Sequence, residues 1–168
     1  MYKVLSTNKF TYKEFKIVPV RSLDRYKIMK WRNEQIYHLR QDKILSREEQ
    51  DKYFKSIILN QKRESYPDQI LFSFLRNNVC EGYGGLVHIN WNHENAEISF
   101  VMDTSLETDC FKSYWTIFLK LLEKVAFEEL ILHKVYIYSF NVRPKLYEIT
   151  KENSFTEEAR LKDHIINN

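Results

Sequence analysis

Glycine is scarce in this sequence: only 3 occur in 168, and all sit together as Gly82, Gly84 and Gly85. Dinucleotide fingerprints and Walker loops need glycines that open a helix, so both are excluded. Cysteine is rarer still, and Cys80 and Cys110 form neither a CxxC pair nor a disulfide framework. No run approaches the ~20 apolar residues that span a bilayer. The first residues alternate charged and apolar positions instead of building the apolar core of a signal peptide. A cytoplasmic protein without a membrane partner is expected.

Chemistry-bearing motifs are absent in the same telling way. The histidines His38, His88, His93, His133 and His164 show no ligand spacing such as HExxH, so no metal is expected. No GxSxG elbow supports a hydrolase triad. A nucleic-acid surface would interleave clustered Lys and Arg with aromatics. The run Lys134–Phe140 offers one basic residue on an aromatic strand, which reads as sheet core.

What the chain does have is an ordinary folded composition, 43% hydrophobic and 29% charged, with 15% aromatic residues. Without linkers, repeats or low-complexity runs, residues 1–168 are expected to form one domain. The net charge of +3 suits an anionic small ligand as well as nucleic acid and decides little.

Periodicity supplies the order of elements. Residues 10–20 read as a first strand. Ser22 opens a helical pattern through Leu23, Tyr26 and Met29, and Ser46-Arg47-Glu48-Glu49 is a capping box opening a second helix. That helix carries Tyr53, Phe54, Ile57 and Ile58 and ends in the polar stretch before Pro67. Strands Ile70–Arg76, one within Tyr83–Trp91, and Ala96–Met102 follow, with Asn77-Asn78 and 92–95 as turns. On the last of these, Ala96, Ile98, Phe100 and Met102 share one face and Glu97, Ser99 and Val101 the other. A helix over about Ser113–Leu130, a strand His133–Phe140, a short helix opened by Asn141 with Pro144 in its first turn, and a strand near Phe155–Ile166 complete the chain. Antiparallel hairpins flanked by crossovers indicate an α+β fold, not a doubly wound one.

This order carries recognisable words. Trp31-Arg32-Asn33 lies in the first helix, and Gly84–Ile89 is followed by Asn95-Ala96-Glu97-Ile98-Ser99-Phe100. Ala126-Phe127-Glu128-Glu129-Leu130 precedes His133-Lys134-Val135, and Phe140-Asn141-Val142-Arg143-Pro144-Lys145-Leu146-Tyr147-Glu148 precedes Phe155 and 157–164. Over nearly its whole length the chain resembles the GNAT superfamily of acyl-CoA-dependent N-acetyltransferases. It is most similar to the branch of ribosomal-protein N-terminal and amino-sugar acetyltransferases. The resemblance implies a mixed, mostly antiparallel central sheet flanked by helices and acetyl-CoA as co-substrate, with no metal.

Two departures stand beside it. The family holds the cofactor's pyrophosphate on a Gln/Arg-x-x-Gly-x-Gly/Ala loop, whereas the matching Asp109–Trp115 here has no glycine. Unpaired amides at a helix start can still hold phosphate, with Lys112, Ser113 and Tyr114 as the implied contacts, although Phe111 and Tyr114 are bulky. The chain also ends at Asn168, where relatives usually continue into a last strand.

The remaining roles come from the resemblance, each beside a plainer reading. Glu97 is the base that neutralises the amine, or a solvent-facing carboxylate on an alternating strand. Tyr147 protonates the leaving thiolate, or simply packs. Asn141 is a helix N-cap and a cofactor contact, two compatible roles. Phe100, Val101 and Met102 present backbone groups to the pantetheine, and an N–H among them stabilises the oxyanion. Trp31, Arg32 and Asn33 line the acceptor side, with Arg32 meeting an anionic group bidentately, or they form a helix end with a buried Trp and a solvated Arg.

The expected activity is acetyl transfer to a primary amine within a ternary complex. An amino sugar on a nucleotide is the leading acceptor. The alternatives are a protein N-terminus, or a non-catalytic binding domain with a weakened cofactor loop. Nothing in the sequence supports a homo-oligomer.

Overall fold

Between Phe10 and Pro19 the chain forms a hairpin, β1 (Phe10–Tyr12) and β2 (Phe15–Pro19), and not the single strand expected. Lys13 turns it at φ 52°. Tyr12 pairs with Phe15 across that turn. The computed structural model describes residues 1–162 and residue 164.

A 3-10 turn over Ser22–Asp24 leads into α1 (Arg25–Glu34). The loop after it contains a second 3-10 turn, Ile36–His38. The capping box forms as expected. Ser46 accepts from Glu49 N–H at 3.2 Å, and the Glu49 carboxylate accepts from Ser46 N–H at 2.9 Å, opening α2 (Arg47–Tyr53). A π turn over Phe54–Ile58 carries the chain into α3 (Leu59–Arg63).

The meander β3 (Ile70–Arg76), β4 (Val79–Asn90) and β5 (Asn95–Met102) is antiparallel. Asn77 and Asn78 turn its first corner at φ 46° and 70°, the left-handed values a two-residue hairpin demands. The clustered glycines find their reason here. A Cβ on Gly84 would lie 2.0 Å from the Ser99 carbonyl oxygen, and one on Gly85 2.0 Å from that of Ile70. These glycines let three strands approach closely.

Helix α4 (Glu107–Glu123) starts six residues before the expected Ser113 and ends in a π turn, Lys124–Glu129. No glycine or proline interrupts 107–112, and Phe111, Tyr114, Trp115 and Phe118 share one buried face. After it, β6 is only Lys134–Tyr136 and not His133–Phe140. It pairs parallel to β5 over Asn95–Glu97, and among the described residues it has no other partner strand. The last helix, α5, is Pro144–Glu152, capped by Arg143 and not by Asn141. Pro144 suits the first helical position, which makes the residue immediately before it the cap. No strand forms among the described residues of Phe155–Ile166; Asp163, Ile165 and Ile166 lie outside them.

Among the described residues six strands form one sheet in the order β1-β2-β3-β4-β5-β6, mostly antiparallel, with a core on each face. On one face Ala96, Ile98, Phe100 and Met102 pack against Phe111, Trp115, Phe118 and Leu122 of α4, with Leu146 and Ile149 of α5. On the other, Leu71, Leu75, Tyr83 and Val101 meet Ile28 and Trp31 of α1 and Phe54 and Ile58 of the second helical rod. The alternation expected along β5 therefore separates two layers.

Candidate active site

The sheet opens where β5 and β6 part. Asp103 N–H donates to the Glu81 carbonyl at 2.9 Å. Bonded and non-bonded pairs alternate along an antiparallel ladder, so Ser99 and Val101 use their main-chain groups on Gly85 and Tyr83. Those of Ile98, Phe100 and Met102 point the opposite way. The register with β6 ends at Glu97–Tyr136, which occupies Ile98 N–H and nothing further along. Met102 C=O accepts from Gln35 Nε2 at 2.8 Å. The Ile98 carbonyl, both Phe100 groups and Met102 N–H face the gap with no strand beside them among the described residues. Phe100 and Met102 thus leave backbone groups on the open edge, but Val101 does not: its pair with Tyr83 removes it from the edge.

A cleft of about 510 Å³ follows this edge. One wall is Phe100, Trp115 and Leu146; the other, on the α1 side, includes Arg32, Arg40, His88 and Glu97. Glu97 is 4% exposed and stands on β5 at the last residue paired with β6. Its carboxylate accepts from Arg40 Nη2, and His88 Nε2 lies 3.9 Å away. A bulge delivers that histidine: the β4–β5 register shifts between Val87 and Asn90, with His88 at φ 50°. Bulges beside sites commonly re-aim a side chain in this way. Arg40 also lies over the Tyr138 ring, 5.3 Å from its centroid.

The acceptor-side triplet divides. Arg32 reaches the cleft, donating from Nη1 to the Tyr83 hydroxyl at 2.7 Å and from Nε to Gln41 Oε1 at 2.9 Å. Trp31 is 1% exposed in the core beneath α1, so the expectation that it lines the acceptor side is corrected. Asn33 clasps the following loop, its Oδ1 accepting from Leu45 N–H at 2.8 Å and its Nδ2 donating to Leu45 O at 3.0 Å. It positions the loop that carries Arg40.

The expected phosphate segment also changes character. Lys112, Ser113 and Tyr114 lie in the second turn of α4, where amides already bond within the helix. Lys112 pairs with Glu152 at 2.7 Å, and Ser113 Oγ donates to Cys110 O at 3.0 Å. Tyr114 is 2% exposed, with its hydroxyl on Glu81. These three are therefore not a phosphate cradle. The helix start itself carries Glu107 and Asp109, and Asp103 caps the turn before it through Ser105 N–H at 3.0 Å.

Asn141 sits exposed in the loop before α5. Tyr147, on α5 beside Leu146, donates its hydroxyl to Phe140 O at 3.1 Å. Arg143, missed by the sequence reading, reaches the cleft from the α5 cap. Its guanidinium bonds Glu107, lies 4.5 Å from the Phe111 ring centroid and faces His38 Nε2 at 3.0 Å. Burial and the Arg143 charge together push His38 down to about 4. Burial also lowers Arg143 below the usual guanidinium range. The sequence signal for Arg143 was its place before Pro144; for Arg40 and His88, in a loop and at a bulge, no periodic signal exists.

Among the described residues, no group of three His, Cys, Asp or Glu is placed to hold a metal ion. No helix there is long and apolar enough to cross a membrane.

The sequence matches the acetyltransferase (GNAT) domain over residues 17–168. No curated protein sequence matches it. Solved structures do. Spermidine N-acetyltransferase from Vibrio cholerae in complex with CoA and spermine superposes with a TM-score of 0.78 at 19% identity, over 94% of this chain and 89% of that one. The dodecameric structure of the Vibrio cholerae enzyme in an intermediate state gives 0.74 at 19% identity, over 94% and 88%. A probable acetyltransferase gives 0.73 at 21% identity, over 95% and 89%. At such identities the likeness is one of fold.

Proposed function

The chain belongs to the acetyltransferase (GNAT) family and is an acetyl-CoA-dependent N-acetyltransferase; we propose that its acceptor is a primary amine carried on an anionic scaffold. The observation that carries the acceptor class is the wall around Glu97, which presents Arg32, Arg40 and His88 to the cleft. Arg32 uses only its Nε and one Nη1 donor on protein partners, and a guanidinium has five. The rest can hold a phosphate or carboxylate in a forked geometry. An amino sugar on a nucleotide meets this description. A polyamine such as the spermine of the Vibrio cholerae complex would not use the free donors of Arg32, although the cleft also holds the carboxylates of Asp68 and of Glu97, the latter paired with Arg40. A protein N-terminus would bring its anion only by sequence.

The open edge of β5 fits the pantetheine arm of the co-substrate: Ile98 C=O and the Phe100 groups can continue the ladder with an extended amide chain. Acetyl-CoA supplies an activated acyl carbon; binding, orientation and proton transfer fall to the protein. A free N–H at Phe100 or Met102 can donate to the acyl oxygen as charge develops there. Glu97 takes the proton that the acceptor ammonium must lose, directly or through a water, with Arg40 and His88 fixing its position. Tyr147 supplies the proton to the leaving sulfur, for which its hydroxyl must leave Phe140 O and turn into the cleft.

A thiol-release screen over nucleotide-linked amino sugars, free amino sugars, short peptides and polyamines tests the acceptor class. Turnover confined to amines bearing a phosphate or carboxylate is expected; turnover with spermine alone overturns it. With the best acceptor, Glu97→Gln is expected to lower kcat/KM by about 10²–10⁴-fold, most at low pH, where the acceptor amine is protonated. An unchanged profile removes Glu97 from the base role. Tyr147→Phe should lower kcat with little change in KM for acetyl-CoA, and full retained activity returns Tyr147 to packing.

A further inference from the structure

The diphosphate of the co-substrate poses a problem that the pantetheine arm does not. Glycine-flanked amides are absent, the amides of Lys112–Tyr114 are engaged inside α4, and the helix begins with Glu107 and Asp109 just after Asp103. Three carboxylates near the start of α4 would repel a diphosphate. Beside them stands one guanidinium, Arg143, whose side chain is 10% exposed and already neutralised by Glu107.

That pair is part of a strut across the cleft. Gln35, 1% exposed, donates from Nε2 to Met102 O at the end of β5, and its Oε1 lies 3.2 Å from His38 Nε2. His38 faces Arg143 at 3.0 Å, and Arg143 reaches Glu107 at the start of α4. The chain of contacts therefore runs from the open strand edge to the first turns of α4 and α5.

Resting on the acetyltransferase reading above, we propose that Arg143 is the diphosphate ligand of this enzyme, held in reserve by Glu107 and released to the anion as CoA enters. A buried guanidinium with a fixed fork suits a phosphate pair at least as well as a single carboxylate. Phe111, in the segment where the family carries glycines, stacks under it, so that ring supports the arginine. Glu107 is the intramolecular competitor: it satisfies Arg143 when the site is free of anion, and it weakens binding by the cost of separating the pair.

Calorimetry with CoA and with acetyl-pantetheine, which lacks the diphosphate, tests this apart from turnover. Glu107→Gln is expected to tighten CoA about tenfold and Arg143→Gln to weaken it at least tenfold, with acetyl-pantetheine affinity unchanged in both. Arg143→Lys, which keeps the charge and loses the fork, should fall between wild type and Arg143→Gln. Equal CoA affinity in wild type and Arg143→Gln overturns the proposal, as does parallel loss of CoA and acetyl-pantetheine, which marks a structural role. Failure of folded wild-type protein to bind CoA at all overturns the acetyltransferase reading first, and this inference with it.

Discussion

At the scale of single residues, the site depends on charges held by neighbours from distant parts of the chain. The Asn-Ala-Glu-Ile-Ser-Phe word marked Glu97 as a candidate, whereas strand alternation alone read it as a solvent-facing carboxylate, and it is 4% exposed. Its partners were not marked. Arg40 comes from an irregular loop pinned by Asn33, and His88 is turned toward Glu97 by a bulge, features that leave no period. Trp31 shows the opposite error: an aromatic beside a candidate site reads as a wall, but α1 turns it inward to the core at 1% exposure. Burial makes the His38 prediction definite. Unfolded histidine binds a proton below about 6.5, whereas folded His38 does so only near 4. Between those values the unfolded state holds more protons, so this contribution to stability is full above about 6.5 and is lost as pH falls toward 4. Urea midpoints should therefore fall over that window more steeply in wild type than in His38→Gln. Identical slopes would mean that His38 is not buried against Arg143.

At the scale of elements, β4 and β5 decide whether there is a site at all. Close approach of the backbones holds the β5 edge in place, and Gly84 permits it. Gly84→Ala places a methyl carbon 2.0 Å from Ser99 O and 2.7 Å from Phe100 Cα, main-chain atoms that cannot rotate away. Overpacking of this kind costs about 1–3 kcal/mol, and the upper end is expected here in denaturant titrations. Stability equal to wild type would contradict the strand spacing. The elements themselves were largely readable. The Ser46–Glu49 box, the Asn77-Asn78 turn and the two-faced β5 are local signals, and each formed. Errors fell where tertiary context takes over. Helix α4 extends back to Glu107 because the aromatic face of Phe111 and Tyr114 finds a core to pack on. β6 stops at Tyr136 because β5 no longer runs beside it, although Ile137–Phe140 keep a strand-like sequence.

At the scale of the whole molecule, an α+β sheet that divides between β5 and β6 creates one cleft with two chemically different walls. The α4–α5 wall is apolar, with Arg143 at its end. The α1 wall is polar and carries Glu97 beside Arg40, Arg32 and His88. Family membership was legible from ordered words in the sequence, and those words lie mostly on the strands and helices that build the cleft. The acceptor was not legible, because Arg32 alone of its expected triplet faces the cleft. The account rests on the unpaired edge of β5 being the seat of the acyl carrier. Amide hydrogen exchange followed by NMR, with and without acetyl-CoA, measures that edge directly. Added acetyl-CoA should slow exchange at Phe100 N–H, while Ser99 and Val101, already bonded to β4, keep their protection. No change at Phe100 with acetyl-CoA demonstrably bound would contradict the account, because the co-substrate would then lie somewhere other than along this strand.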